Sequence, residues 1–247
     1  MVSSIANKQV LITGASSGIG KALCLQYAEL GCHVFACGRN EQRLASLVDQ
    51  NSLIEPLIFD ITNKAEVDTV FASLDKLDLV ILNAGDCEYI DDALQFDSPL
   101  FERIIKTNLI SVGYMLEAAI PLLEKNSQLA LVSSSVTYLP LQRAEAYGAS
   151  KAGMSYLAKS LSLDLKPHGI HVSLVEPGFV KTPLTDKNNF KMPFLISAEQ
   201  AAVRIVQGLA QKHAVIHFPK RFTLILKMLG CLPFGLWQKL AVRTIKK

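Results

Sequence analysis

The sequence predicts an α/β fold: one parallel sheet of seven strands with helices on both faces, an α/β/α three-layer sandwich. Three observations predict it. Short apolar runs of strand length alternate with amphipathic stretches of helical length from Gln9 to Phe218, and such alternation builds a parallel sheet with helical crossovers. No linker, repeat or low-complexity segment interrupts that alternation, so it belongs to one domain. The first run leads through a glycine-rich turn, Gly14-Ala15-Ser16-Ser17-Gly18-Ile19-Gly20, directly into the first helix. That order of strand, turn and helix is how doubly wound sheets of the Rossmann type hold a dinucleotide.

The first strand covers Gln9–Thr13, and the helix after the glycines runs to Leu30. One glycine allows the tight turn, one lets backbone approach a pyrophosphate, and one lets helix pack close to strand. The new helix N-terminus offers free N–H groups to phosphate. A second strand, Cys32–Cys37, is followed by Gly38 and Arg39. An acidic residue here would hold a ribose 2′-hydroxyl; its absence, with a guanidinium next to it, predicts NADP(H). Read structurally, Arg39 is only a surface loop residue.

Helix Glu41–Gln50 and strand Leu53–Phe59 follow, and Asp60 ends that strand. Its carboxylate either meets an adenine amino group or caps the next helix, with Thr62 and Asn63 competing for the cap. Strand Leu77–Leu82 runs into Asn83-Ala84-Gly85, small residues that suit close approach of a cofactor. Ser98-Pro99 reads as N-cap and first helical residue of a long helix reaching about Glu124 and containing Asn108. Strand Gln128–Val132 ends in Ser133-Ser134-Ser135. Helix Ala144–Lys166 and strand Ile170–Glu176 lead to Pro177-Gly178, and Lys181–Ile196 reads as a mobile loop over the strand ends. Ser197-Ala198-Glu199-Gln200 resembles a capping box opening a helix to Gln211, before a last strand, Ala214–Phe218.

Composition narrows the function classes. Of 247 residues, 50% are hydrophobic and 19% charged, enough for a substantial core. The net charge of +3 is too small to imply a nucleic-acid partner. Its distribution says more: residues 200–247 carry nine Lys and Arg and no Asp or Glu, which leaves −6 on the rest. Five cysteines, with no C-x-x-C pair, argue against a disulfide framework and a structural metal site. Reduced core thiols fit a cytoplasmic compartment, and Met1–Lys8 lacks the long apolar run of a signal peptide.

Tyr147 and Lys151 stand four residues apart, one turn of a helix, on one face. A free phenol titrates near pH ~10. A neighbouring ammonium favours the phenolate, and such a tyrosine can exchange a proton with an alcohol or alkoxide. Alone, the pair reads equally as a packed tyrosine beside a solvated lysine.

Thr13-Gly14-x-x-x-Gly18-x-Gly20, Asp60, Asn83-Ala84-Gly85, Asn108, the serine cluster, Tyr147-x-x-x-Lys151 and Pro177-Gly178-x-x-x-Thr182 occur in one order over residues 8–183. In that order and spacing the chain resembles the short-chain dehydrogenase/reductase family, in its branch of about 250-residue enzymes. The resemblance implies that Tyr147 is the general acid/base and that Lys151 lowers its pKa and binds nicotinamide-ribose hydroxyls. Asn108 would hold a water joining Lys151 to solvent. Thr182 would touch the nicotinamide carboxamide. A serine would hydrogen-bond the substrate oxygen, and the family's spacing, about thirteen residues before the tyrosine, selects Ser134 over Ser135. The expected cofactor contacts are Gly14, Ser16, Ser17, Gly18, Ile19, Gly20, Arg39, Asp60, Ile61, Asn83, Ala84, Gly85, Tyr147, Lys151, Pro177, Gly178, Val180 and Thr182. The implied activity interconverts a carbonyl and an alcohol with NADP(H). The rivals are an epimerase or dehydratase of the extended branch, and a catalytically silent dinucleotide-binding sensor.

Residues 1–219 are expected to form the catalytic domain, and 220–247 a basic, apolar extension. The extension lacks an uncharged run of spanning length. It reads either as an interfacial segment contacting a membrane peripherally or as a cover over the substrate mouth or a subunit interface. A homo-oligomer is expected. Ile90, Val136, Tyr138, Leu139, Leu184 and Phe190 in the strand-end loops hint at an apolar substrate.

Overall fold

The central strands carry apolar side chains on both faces, and the burial follows. In β1 (Gln9–Thr13), Val10 and Ile12 join one core cluster and Leu11 the other. In β5 (Leu123–Val132), Ala130 and Val132 alternate with Leu129 and Leu131 in the same way. A strand buried on both faces needs helices on both sides. This computed structural model describes residues 6–188 and 190–243. The expectation for Met1–Ile5 lies outside the described residues, as do Asn189 and the last four residues of the extension.

Strands β1, β2 (His33–Gly38), β3 (Ile54–Ile58), β4 (Leu77–Leu82), β5, β6 (His171–Pro177) and β9 (Val215–Phe218) form one parallel sheet in the order β3-β2-β1-β4-β5-β6-β9. The order reverses between β1 and β4. Doubly wound sheets open a crevice at that point, beyond the strands' carboxyl ends. Helices α1 (Gly18–Glu29), α2 (Glu41–Val48) and α7 (Ala198–Ala210) cover one face; α3 (Lys64–Phe71), α5 (Ser111–Ala119) and α6 (Glu145–Asp164) cover the other.

Several local expectations need correction. The cap before α4 (Ser98–Ile105) is Asp97, whose carboxylate accepts from Leu100 N, so Ser98 is already helical. The long helix is not regular. A π-turn, Lys106–Ile110, joins α4 to α5, and the helical run ends at Leu122 where β5 begins. The stretch read as a mobile loop is pinned at both ends, because β7 (Val180–Lys181) pairs with β8 (Ile196–Ser197). The predicted capping box does form: Ser197 Oγ accepts from Gln200 N, and the Gln200 side chain accepts from Ser197 N. Asn63, not Asp60, caps α3.

After β9 come α8 (Lys220–Gly230) and α9 (Phe234–Arg243). Buried Thr223 anchors α8 through its hydroxyl, 2.7 Å from His217 Nδ1 on β9. Trp237 donates from Nε1 to Pro140 O at 2.9 Å, and Gln142 Nε2 donates to Ala241 O at 2.9 Å, which ties α9 to the loop before α6.

At Gly20 the start of α1 packs directly on the glycine turn and on the residue after β4. A Cβ there would lie 2.2 Å from Gly14 O and 2.7 Å from Asn83 Nδ2. Backbone cannot yield as a side-chain tip can. Gly20→Ala is therefore expected to cost about 3 kcal/mol and to lower Tm by roughly 10 °C, read by thermal unfolding followed by circular dichroism.

Candidate active site

The glycine turn, the ends of β1, β4 and β5, and the first turns of α6 converge on one cleft of about 580 Å³ at the sheet's switch point. Of the residues expected at the site, all line it except Gly20 and Asn108. Gly20 is buried where α1 meets the turn. Asn108 is buried directly behind the cleft.

The phosphate side is built from backbone. Gly14 and Gly18 have φ of +69° and +54°, the left-handed region that favours glycine. The N-cap of α1, Ser17, makes no side-chain cap hydrogen bond, so the helix N-terminus faces the cleft with donors available. Thr182 leans on the turn: a Cβ on Gly18 would come within 2.9 Å of its Cγ2. Thr13 ties two strand ends together, its hydroxyl accepting from Asn83 N at 2.9 Å and Ala84 N at 3.0 Å. Asn83 Nδ2 donates to Thr13 O at 2.9 Å. The Asn83-Ala84-Gly85 segment is thus locked to β1 from both its backbone and its side chain.

At the end of β2, Arg39 is largely exposed and reaches Asp60 Oδ2 at 3.4 Å. Asp60 Oδ1 accepts from Thr62 N at 2.8 Å and Thr62 Oγ1 at 2.9 Å. Burial acts to raise the Asp60 carboxyl; the Thr62 bonds and the Arg39 guanidinium outweigh it and hold it below the usual range. Arg43 also lines the cleft, a second cation that sequence reasoning missed. Its signal was present, since it follows Arg39 by four residues at the start of α2.

The chemical end is built where α6 meets β5. Lys151 is buried, and its Nζ donates to Val132 O at 2.9 Å. It lies against Gly85, whose added Cβ would come within 3.3 Å of Nζ. Ser133 donates to Lys151 O at 2.9 Å and shares a 2.8 Å hydrogen bond with Ser155. These contacts fix α6 on β5. Ser133 and Ser134 both line the cleft, but the Ser133 hydroxyl is committed to α6, and Ser135 is buried at the start of a 3-10 turn. The Tyr147 ring lies beside Lys151, its centroid 5.9 Å from Nζ.

Asn108 occupies the π-turn that re-aims it inward. Its Oδ1 accepts from Asp86 N at 2.8 Å, and its Nδ2 donates to Asp86 O at 2.8 Å and Ser150 Oγ at 3.0 Å. Both amide hydrogens are committed to protein, so the side chain braces α6 against the loop after β4. Among the loop residues expected to shape a substrate pocket, Leu184 lines the cleft, but Ile90 and Leu139 are buried in packing.

Electrostatics depart from the simple picture of an ammonium lowering a phenol. Burial, reinforced by the Cys87 thiol, pushes the Tyr147 phenol above its ordinary range, and the Ser134 hydroxyl pulls it back in part. Burial also pushes the Lys151 ammonium down to about 8. Desolvation weakens both charges that would stabilise one another.

A model of the short chain dehydrogenase family matches residues 8–192. An uncharacterised oxidoreductase of Myxococcus xanthus is 34% identical over 252 residues, 98% of this chain and 99% of the relative. A 3-oxoacyl-(acyl-carrier-protein) reductase of Rickettsia felis is 36% identical over 194 residues, 76% of this chain and 78% of that relative. Among solved structures, a short-chain dehydrogenase from Sphingobium yanoikuyae in complex with NADPH superposes with a TM-score of 0.77 at 25% identity, covering 94% of each chain. A short-chain dehydrogenase/reductase from Burkholderia phymatum in complex with NAD shares the fold, with a TM-score of 0.80 at 19% identity over 90% of this chain and 92% of that one.

A buried ammonium with a lowered pKa has a stability signature. Below pH ~8 both folded and unfolded Lys151 are charged, and the folded state bears the full desolvation cost. Between about 8 and 10.4 the unfolded chain binds more protons, so stability from this group rises with pH. Lys151→Met is therefore expected to raise unfolding free energy by about 1–3 kcal/mol at pH 7, with the gain fading by pH ~10.4. Urea titrations of both proteins across that range check it.

Proposed function

The chain belongs to the short-chain dehydrogenase family, and on that premise we propose that it is an NADP(H)-dependent oxidoreductase interconverting a carbonyl and an alcohol. One observation carries the reading: α6 and β5 bring Tyr147, Lys151 and Ser134 into the same cleft as the glycine turn. The residues fit a dinucleotide. The left-handed glycines and the N-terminus of α1 form a cradle for a pyrophosphate, and at the end of β4 the Asn83 amide is turned back to Thr13 O, beside the small residues Ala84 and Gly85. Pro177, Gly178, Val180 and Thr182 form the facing wall. When bound, the dinucleotide supplies or accepts the hydride.

The protein's own residues then bind, orient and move a proton. Tyr147 gives its phenolic proton to the substrate oxygen in reduction and takes it back in oxidation. In reduction the raised phenol pKa keeps that proton in place until a developing alkoxide demands it. Ser134, whose hydroxyl acts to lower the phenol's pKa, donates to the same oxygen and stabilises its charge. Lys151 would hold ribose hydroxyls and supplies positive charge beside the phenol. Asn108 acts as a positioning residue, holding Ser150 and the Asp86 backbone so that Lys151 and Tyr147 keep their spacing.

Arg39 and Arg43 supply the preference for a 2′-phosphate, since no carboxylate terminates β2. The Sphingobium yanoikuyae relative was solved with NADPH, which supports this choice. Asp60 remains at the adenine side. The substrate is a small carbonyl or alcohol compound entering beside Leu184 and Tyr89. A panel of ketones and aldehydes followed by NADPH absorbance tests the function; dinucleotide binding with no turnover on any of them would favour a sensor instead.

Two variants discriminate within the site. Ser134→Ala is expected to lower kcat by about 10²–10³, and Ser135→Ala to leave it within about threefold. Arg39→Ala should cut kcat/KM with NADPH by about 10-fold or more while changing the NADH value little, measured by steady-state kinetics with each cofactor.

A further inference from the structure

The C-terminal helical pair carries exposed apolar side chains that the fold does not use. On α8, Arg221, Leu224, Ile225 and Met228 follow helical spacing and are all exposed, Met228 by 73%. The opposite face carries Thr223, Phe222 and Lys227 inward, where Lys227 Nζ lies 4.8 Å above the Tyr138 ring. On α9, Trp237 and Ala241 face the domain, leaving Phe234, Leu236, Leu240 and Val242 exposed. Among the described residues no single helix is long and apolar enough to cross a membrane, and the two helices are bent by 117° at their junction.

Charge selects the occupant. Lys220, Arg221 and Lys239 are exposed around these apolar groups, none forms an ion pair among the described residues, and no Asp or Glu occurs from 200 to 247. Helices that mix bulky apolar side chains with cations and lack acids match an anionic lipid surface. An acidic protein partner would not require so much exposed aliphatic surface.

The same helices border the mouth of the cleft. Phe222 packs on Gly178, a cleft residue whose added Cβ would lie 2.8 Å from the ring. From Phe222 an aromatic array leads both ways: to Phe194 at 6.0 Å, and to Phe179 at 5.5 Å, then Phe190 at 6.0 Å and Tyr89 at 5.9 Å. Phe190, Phe194 and Leu195 are themselves exposed beside the helices.

We propose that α8 and α9 dock in the plane of an anionic phospholipid bilayer and turn the aromatic mouth toward it, so that the enzyme takes a lipophilic carbonyl or alcohol from the membrane. The docking stands on the helices alone; the identity of the cargo rests on the proposed reductase reading. The test is flotation of the full-length protein with vesicles of phosphatidylcholine containing about 30% phosphatidylglycerol, beside pure phosphatidylcholine vesicles. The comparison variant is Leu224→Ser/Ile225→Ser/Met228→Ser, which alters only exposed positions. Wild type is expected to float at least tenfold more with anionic than with pure phosphatidylcholine vesicles, to lose this in about 0.5 M salt, and at low salt to float far better than the variant. The variant should reduce a water-soluble aldehyde as wild type does, yet lose at least fivefold on a long-chain ketone dissolved in the vesicles. Wild type remaining in the soluble fraction overturns docking. So does equal flotation of the variant, or light scattering that shows a dimer dependent on these side chains with no vesicle binding. Flotation with no turnover of either carbonyl keeps the docking and removes the cargo.

Discussion

The hydrogen bond from the Lys151 ammonium to the Val132 carbonyl is the constraint on which the site depends. It buries a charge at the carboxyl end of β5, and a buried charge is costly unless its donors are satisfied. One of its three donors is met by Val132 O, and that bond fixes how α6 meets the sheet while the rest of the desolvation cost remains. Ser133 adds two further bonds to the same seam, to Lys151 O and Ser155 Oγ. With the Ser133 hydroxyl committed to the helix, Ser134 is the serine left to the cleft, and Tyr147, one turn before Lys151, faces it. The phosphate cradle is set independently by Thr13, which locks β1 to the end of β4. The two seams place the halves of the site on one rigid sheet, as a geometry held near the productive arrangement requires.

Much of this was legible in the sequence because it rests on short-range rules. Both-face burial makes strands read as continuous apolar runs, and six strands of the main sheet were placed within one residue at each end, while β5 starts five residues earlier than expected. The glycine spacing reports a backbone need that other residues cannot meet. What stayed hidden lacks a local signature. The π-turn at Lys106–Ile110 inserts one residue into an unbroken helical pattern, which periodicity does not register. Leu122-Leu123-Glu124 suits a helix end or a strand start, and sheet pairing decides. Strands β7 and β8 have two residues each and exist only because their partner is near. Spacing alone put Lys151 beside Tyr147 but said nothing about depth, and burial reverses the expected direction of the phenol's shift. The Ser133 bonds to α6 are likewise tertiary and have no local sequence signal.

The distribution of charge divides the molecule into functional faces. Acidic residues spread over the body, while the last helices carry only cations and face outward with their aliphatic side chains. Phe222 joins that face to the cleft wall through Gly178. Two kinds of surface are therefore separated along the sheet: arginines and glycines at β1 and β2, aromatic rings and the helical pair at β6 and β9. A polar cofactor and an apolar substrate would each meet the surface suited to it.

The central claim is that Tyr147 moves the proton while the rest of the cleft binds and positions. Tyr147→Phe removes one oxygen and keeps the ring that packs beside Lys151. The decisive measurement pairs calorimetric titration with NADPH and steady-state turnover of a carbonyl substrate. NADPH affinity within about threefold of wild type and a kcat lowered on the order of 10³ is the predicted result. Turnover near the wild-type rate in a protein that still binds NADPH would contradict it.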